Sequence, residues 1–145
     1  MASLLETHKP DILILTGHDG VLNSEDDGCY ENLVSYRNSR YYIDAVKAAR
    51  KYCGDIDELI IFAGACQSMY MEIIKSGANF ASSPYRVLIH AFDPVRVAIK
   101  IAQTSVDSVI DPKDIVQNTI TGMKGIGGLQ TRGKMRSGYP QEPHL

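Results

Sequence analysis

The stretch IIFAGACQS, residues 60–68, combines an apolar run with small residues and a cysteine. A short, continuous apolar run that ends at glycine is typical of a strand buried on both faces of a parallel sheet. The small residues Gly64 and Ala65 let the backbone approach another group closely where the strand ends. Cys66 is then either a thiol packed in the core or a nucleophile held at the strand end, and the stretch alone leaves both interpretations open.

Outward from this stretch, apolar runs alternate with patterns of helical period. The alternation predicts an α/β fold, a three-layer αβα sandwich with a mainly parallel sheet, formed by a single domain over residues 1–145. Residues 21–38 are expected to be a long loop, and the glycine-rich residues 122–140 a loop with at most a short strand. The predicted strands are residues 11–16, 57–63 and 86–91, with a brief one at 79–81. The predicted helices are residues 39–52, 68–75, 93–104 and 111–121, after a first one that stops before Pro10.

Composition argues against several classes of protein. The formal net charge is -2 without a basic stripe, so we expect no nucleic acid partner. No apolar run approaches the roughly 20 residues of a membrane span, and the first residues lack the pattern of a signal peptide, so no membrane is expected either. The 3 cysteines and 4 histidines have neither a disulfide framework nor metal-ligand spacing. We therefore expect free thiols in a reducing compartment, with no metal or cofactor, while the oligomeric state stays open.

A histidine and a cysteine follow two of the predicted strands. His18 lies in the segment TGHDG after residues 11–16, and Cys66 follows residues 60–63. Chemistry in parallel sheets gathers at the carboxyl ends of the strands, and a right-handed crossover through the helix at 39–52 would make these strands neighbours. His18, or the start of the helix predicted to follow Cys66, can then activate the thiol.

Backbone amides complete this hypothesis. The N–H groups of Asp19, Gly20 and Cys66 are candidates to bind a developing oxyanion. Cys53 is interpreted differently, because it lies on the apolar face of the helix predicted over residues 39–52, which Gly54 is expected to end. Cys53 is therefore a packing residue, whereas His18 and Cys66 together are the candidate catalytic pair.

Sequence resemblance extends this hypothesis. Ala65-Cys66-Gln67, with a histidine 48 residues upstream (66 − 18), is similar to caspase-like (clan CD) cysteine peptidases, in which the His and the Cys follow consecutive parallel strands. Nearly the whole chain, from Pro10 to Tyr139, resembles the YabG family of sporulation-specific proteases of endospore-forming bacteria. The segments that carry this resemblance are PDILILTGHDG, YRNSRYYIDAVKAAR, IIFAGACQS, GANFASSPYRVLIHAFDPV and GIGGLQTRG.

The resemblance implies a cysteine endopeptidase with Cys66 as its essential cysteine and His18 as its histidine. It implies protein substrates, namely spore coat, cortex-associated and morphogenetic proteins, cleaved beside basic residues. It places the enzyme in the cytoplasm of the mother cell, in association with the spore coat. Because family members are longer, the resemblance also implies that residues 1–145 are a catalytic domain excised from a longer protein.

Two departures from the caspase-like pattern affect the expected site. Asp19 stands between His18 and Gly20, where those peptidases have glycine directly after the histidine, and Gly64 stands where some Arg-specific members have an acid. The acid that reads a basic side chain must then come from elsewhere. The candidate acids are Asp19, Asp26, Asp27 and Asp93, and the substrate pocket is expected to draw on Asp19, Ser82, Ser83, His90 and Asp93.

Two alternatives stay open. Gly64-Ala65-Cys66-Gln67-Ser68 approximates the nucleophile elbow of glutamine-amidotransferase-like hydrolases, which would use a downstream histidine such as His90. His90 is only 24 residues beyond the cysteine (90 − 66), and Ser68 replaces the last glycine of that motif. The second alternative is a non-catalytic α/β binding module of spore assembly, in which Cys66 is a packing residue.

Overall fold

The computed structural model describes residues 1–22 and 29–138. Its helices are α1 (Ala2–His8), α2 (Ser39–Tyr52), α3 (Tyr70–Lys75), α4 (Asp93–Ala102) and α5 (Pro112–Val116). Its strands are β1 (Ile12–Leu15), β2 (Ile60–Ala63), β3 (Phe80–Ser82), β4 (Val109–Ile110), β5 (Ile126–Gly128) and β6 (Thr131–Arg132). Short 3-10 helices lie at Cys29–Glu31, Leu33–Ser35 and Gly122–Lys124.

The main sheet has the order β1-β2-β3-β5. Strands β1, β2 and β3 run parallel, and β5 pairs with β3 in the antiparallel direction. A separate antiparallel pair joins β4 to β6. The prediction of an α/β fold with a mainly parallel sheet is confirmed, because helices connect the parallel strands as such pairs require.

Both faces of the sheet are covered by helices. In β2 the side chains alternate, so that Ile61 and Ala63 join a core with residues of α1, α2 and α3. Ile60 and Phe62 join a second core with residues of α4 and α5. All four side chains are at most 1% exposed, which explains why this strand has the continuous apolar run seen in the sequence.

The strand predicted over residues 86–91 is wrong. The third parallel strand is β3, Phe80–Ser82, and residues 86–91 have irregular structure instead. Their apolar side chains are not uniformly buried, since Leu88 is 72% exposed. The backbone of Val87 and Ile89 bonds to the turn around Cys66 rather than to a neighbouring strand.

Several features at the helix ends differ from those predicted from the sequence. Helix α2 has the predicted bounds, but its N-cap is Asn38 and Gly54 does not adopt a left-handed conformation. Helix α5 is much shorter than expected, since the side chains of Asn118 and Thr119 bond back to the carbonyls of its last turn. The expected loop after Gly122 includes β5, whose glycines fit against the rings of neighbouring aromatic side chains.

The amino-terminal edge of the sheet is tied by two polar side chains. Asn79 is fully buried, and its amide accepts hydrogen bonds from Ile61 N–H and Arg50 while donating to Ile56 and Thr131. Arg50 also donates to the backbone carbonyls of Gly77, Cys53, Asp55 and Leu59. Burial lowers the pKa of Arg50, whose guanidinium stays charged at neutral pH.

Candidate active site

The carboxyl edge of the sheet brings the two predicted catalytic residues onto neighbouring strand ends. In the parallel register of β1 and β2, Leu15 pairs with Ala63. His18 and Cys66 each lie three residues beyond that pair (18 − 15 and 66 − 63). The N–H of Gly64 donates to the carbonyl of Leu15 at 2.9 Å, so the pairing continues one step past the strands. The two segments therefore leave the sheet side by side at the same edge.

The turn that carries Cys66 is tightly constrained. Gly64 has a φ of 109°, and a Cβ added there would lie 2.5 Å from the Ser82 hydroxyl. Gln67, directly after the cysteine, has a φ of 57°, a left-handed conformation that is unfavourable for a residue with a side chain. The hydroxyl of Ser68 accepts a hydrogen bond from the N–H of Ala65 at 2.8 Å. Backbone strain of this kind is often found at functional sites.

The thiol of Cys66 is partly exposed and lies against the segment that follows β3. Its Sγ accepts a hydrogen bond from the N–H of Ile89 at 3.3 Å and donates to the carbonyl of the same residue at 3.8 Å. The N–H of Gln67 donates to the carbonyl of Val87 and to the hydroxyl of Ser83. Helix α3 begins at Tyr70, four residues after Cys66 (70 − 66), rather than at residue 68 as the sequence predicts.

A carboxylate joins the segment of His18 to the turn of Cys66. Asp19 accepts four hydrogen bonds: Oδ1 accepts from the N–H groups of Gly20 and Asn38, each at 2.8 Å. Its Oδ2 accepts from the hydroxyls of Ser39 at 2.5 Å and Ser68 at 2.8 Å. The carboxylate therefore links the end of β1, the start of α2 and the turn after β2. Sequence patterns do not predict this cluster, because its serines follow no recognisable motif.

The backbone of His18 is fixed as well, while its side chain is exposed to solvent. Its carbonyl accepts hydrogen bonds from Asn38 Nδ2 at 2.6 Å and from the hydroxyl of Tyr42 at 3.4 Å. The pKa of Tyr42 is raised mainly by burial, and further by the negative charges of Asp19 and Cys66. The Tyr42 hydroxyl is thus close enough to both segments to respond to their charges.

The backbone amides around the site divide into engaged and available donors. Gly20 N–H donates to the Asp19 carboxylate, and the N–H groups of Ala65 and Gln67 are also engaged. Within residues 1–22 and 29–138, the N–H groups of Asp19 and Cys66 have no hydrogen-bond partner. Of the amides predicted to bind an oxyanion, these two remain available.

The predicted pocket residues have mostly internal partners. Ser82 and Ser83 are fully buried, and their hydroxyls donate to the carbonyls of Ala65 and Val87. Asp93 is also fully buried and accepts hydrogen bonds from the N–H groups of His90, Ile120 and Thr121 and from the Thr121 hydroxyl. Asp19 and Asp93 therefore do not present free carboxylates, while Asp26 and Asp27 lie outside the described residues.

His90, the rival base, is exposed and held by its own loop. Its Nδ1 accepts a hydrogen bond from the N–H of Phe92 at 3.1 Å, and its ring stacks on Phe92 with centroids 5.7 Å apart. Only Nε2 of His90 remains to act on a neighbouring group. His90 follows Ile89, which contacts the thiol, so proximity alone does not remove it as a rival to His18.

A cleft of about 260 Å³ lies beside the Cys66 turn. Its walls include two acids that the pocket prediction missed, Glu31 and Glu72, of which Glu72 forms an ion pair with Lys75 at 2.7 Å. Arg86 also lines the cleft and lies over the ring of Tyr30, 4.6 Å from its centroid. The acidic character of residues 24–31 is the sequence signal that could have indicated Glu31.

In the part of the chain that the structure describes, three or more His, Cys, Asp or Glu side chains nowhere gather as metal ligands would. Among the same residues, no helix has the length and hydropathy to cross a bilayer. Cys53 is the C-cap of α2 and packs against the core, as a structural thiol does.

The fold and this edge define an α/β protein with a cysteine and a histidine on adjacent ends of parallel strands. Comparison with known proteins gives the family: residues 1–140 match the model of YabG peptidase U57, and the chain belongs to that family. It is 47% identical over 137 residues to the sporulation-specific protease YabG of Bacillus subtilis (strain 168), covering 94% of this chain and 47% of that protein. The chain thus spans about half the length of the curated relative it matches. No solved structure matches the chain.

Proposed function

We propose that this chain carries the catalytic site of a cysteine endopeptidase, with His18 and Cys66 as its dyad. The observation that carries the proposal is the register of β1 and β2, which sets both residues three positions past a paired position at one sheet edge. The hydrogen bond from Ser68 to Asp19 joins the two segments directly. The match to a peptidase family supports a hydrolase of proteins.

In the proposed reaction, His18 accepts the proton of the Cys66 thiol, and Sγ attacks the scissile carbonyl carbon as a thiolate. The carbonyl oxygen becomes an oxyanion, for which the free N–H groups of Asp19 and Cys66 are donors. His18 donates a proton to the leaving amine as the C–N bond breaks, and the acyl group stays on sulfur as a thioester. Water, deprotonated by His18, then attacks the thioester and regenerates the thiol.

The proposed substrates are spore coat and morphogenetic proteins cleaved beside basic residues, in the mother cell of a sporulating bacterium. The Bacillus subtilis relative is a sporulation-specific protease, which supports a role in sporulation. We also propose that the fold is a caspase-like three-layer sandwich. Helices on both sheet faces, with His18 and Cys66 after consecutive parallel strands, support that assignment.

Three substitutions test the dyad. Cys66→Ala and His18→Ala should each lower kcat/KM for a peptide with a basic residue by about 10³-fold or more, since each removes a group that takes part in the reaction. His90→Ala serves as the matched control and should leave kcat/KM within about threefold, because this histidine bonds within its own loop. Thermal unfolding of each variant verifies that the fold is intact.

The outcomes separate the alternatives. Loss of activity with His90→Ala but not with His18→Ala would overturn the dyad. Full activity of Cys66→Ala would exclude Cys66 as the nucleophile.

A further inference from the structure

We propose that the carboxylate of Asp19, together with Ser39 and Ser68, is a positioning unit that sets the distance between His18 and Cys66. This inference rests on the proposed dyad and assigns a role that is distinct from the backbone amide of Asp19. Asp19 directly follows His18 in the chain, and its carboxylate accepts a hydrogen bond from Ser68 in the Cys66 turn. Its connection to the start of α2 passes through Ser39 and Asn38.

The direction of each hydrogen bond requires a carboxylate at this position. The Ser68 hydroxyl oxygen accepts from Ala65 N–H, and the Ser39 hydroxyl oxygen accepts from Met69 N–H at 2.8 Å. Each hydroxyl proton is therefore directed to Asp19 Oδ2. Oδ1 faces two further N–H donors, so the site needs a side chain that only accepts. Asparagine has the same shape, but its NH₂ group would replace one of the two accepting oxygens. That group would then face hydrogen-bond donors and could accept from none of them.

Burial makes this arrangement specific. Ser39 and Ser68 are both fully buried, and within the described residues no buried polar side-chain atom lacks a partner. A hydroxyl proton without an acceptor costs free energy in such a position, so the cluster has one favourable arrangement. Ser39 and Ser68 also bond to the two ends of the segment between Ala65 and Met69, and thereby hold the Cys66 turn from both sides.

The chemical consequence concerns the leaving group. An amide needs a proton on its nitrogen before the C–N bond breaks, whereas an activated ester or thioester releases a stable anion without it. If Asp19 acts by placing His18, its loss should slow acylation of Cys66 by an amide much more than acylation by a thioester with the same acyl group, because the later deacylation is the same for both substrates. A purely structural loss would slow both reactions alike. The ratio of kcat/KM for the amide to kcat/KM for the thioester is therefore the informative quantity.

Asp19→Asn tests the proposal in the 145-residue chain, and it leaves the backbone amide in place. Two substrates share one arginine-terminated acyl peptide, one as an aminomethylcoumarin amide and the other as a benzyl thioester. We expect kcat/KM, which reports acylation of Cys66, to fall by about 10²-fold for the amide, with KM changed less than about threefold, and by less than about fivefold for the thioester. Ser68→Ala should lower the amide-to-thioester ratio in the same direction.

Two comparison variants complete the design. Asn79→Ala removes a polar side chain that is as buried as Ser68 but lies at the opposite edge of the sheet, so it should lower stability while leaving the amide-to-thioester ratio unchanged. His18→Ala measures the dyad itself and should lower the ratio at least as much as Asp19→Asn. An unchanged ratio in His18→Ala would overturn the proposed dyad. A lowered ratio in His18→Ala, with an unchanged ratio in Asp19→Asn, would overturn only the positioning role.

Discussion

Polar side chains hold both edges of the parallel sheet through hydrogen bonds, but the two edges have different roles. At the amino edge, Arg50 donates hydrogen bonds to four backbone carbonyls and to Asn79, and these groups belong only to the frame of the fold. At the carboxyl edge, Asp19 accepts four hydrogen bonds from the segments that carry or flank His18 and Cys66. Helix α2 joins the edges, because Ser39 is its first residue and Arg50 lies near its end. The polar side chains at the amino edge therefore mainly affect the stability of the fold, whereas those at the carboxyl edge affect the geometry of the candidate active site.

The largest expected effect on stability lies at the amino edge. Arg50→Ala removes all five hydrogen bonds of the guanidinium and leaves carbonyl oxygens near the core without a donor, so the free energy of unfolding should fall by about 3 kcal/mol. Urea denaturation measures this loss. The rate at which iodoacetamide labels Cys66 in the folded variant should stay unchanged, and a large change in that rate would contradict the separation of the two edges.

The regular secondary structure that connects these two edges can be predicted from the sequence. Strand β2 and helix α2 follow from an apolar run and a helical stripe, which are local signals of burial on two faces and on one face. The adjacency of the strand ends that precede His18 and Cys66 also follows, because β/α alternation places the ends of parallel strands together. Residues 86–91 show the limit: their apolar pattern fits a strand, yet the segment packs on the Cys66 turn instead.

The polar clusters that hold the two edges could not be predicted from the sequence, because their partners are far apart in the chain. Ser68 bonds to Asp19 across 49 residues of sequence (68 − 19), and Asn79 bonds to Thr131 across 52. A buried serine or asparagine has no periodic or local signature, since its partner is set by tertiary packing. These residues decide how the two edges are held, and they become visible only in three dimensions.

An intermediate effect is expected at Gly64, in the turn of the carboxyl edge. Gly64→Ala puts a Cβ on a backbone with a φ of 109°, at 2.5 Å from the Ser82 hydroxyl, so the free energy of unfolding should fall by about 2 kcal/mol. Because this turn carries Cys66, the labelling rate of Cys66 should change as well. Gly54→Ala is the matched control, since its Cβ would make only an ordinary contact of 3.8 Å with the carbonyl of Arg50. Equal effects of the two substitutions would contradict a constrained turn at Gly64.

The smallest expected effect concerns Tyr42, which lies on α2 near the carboxyl edge and bonds to the His18 carbonyl. Burial, with the charges of Asp19 and Cys66, raises the pKa of its phenol in the folded protein, so the folded state holds this proton more tightly than the unfolded chain. The resulting stability is present below the ordinary value of about 10 and is lost as the pH rises through the folded pKa.

Tyr42→Phe should therefore be about 0.5 kcal/mol less stable than the parent chain at pH 7, from loss of one weak hydrogen bond. This gap should close as the pH rises above about 10, because only the parent chain loses the contribution of this phenol. Urea denaturation at pH 7 and pH 10.5 measures the gap at each pH. Tyr41→Phe is the control, as that side chain is 60% exposed and should give no comparable change. A gap that is the same at both pH values, or that widens at pH 10.5, would show that the pKa of Tyr42 is not raised in the folded protein.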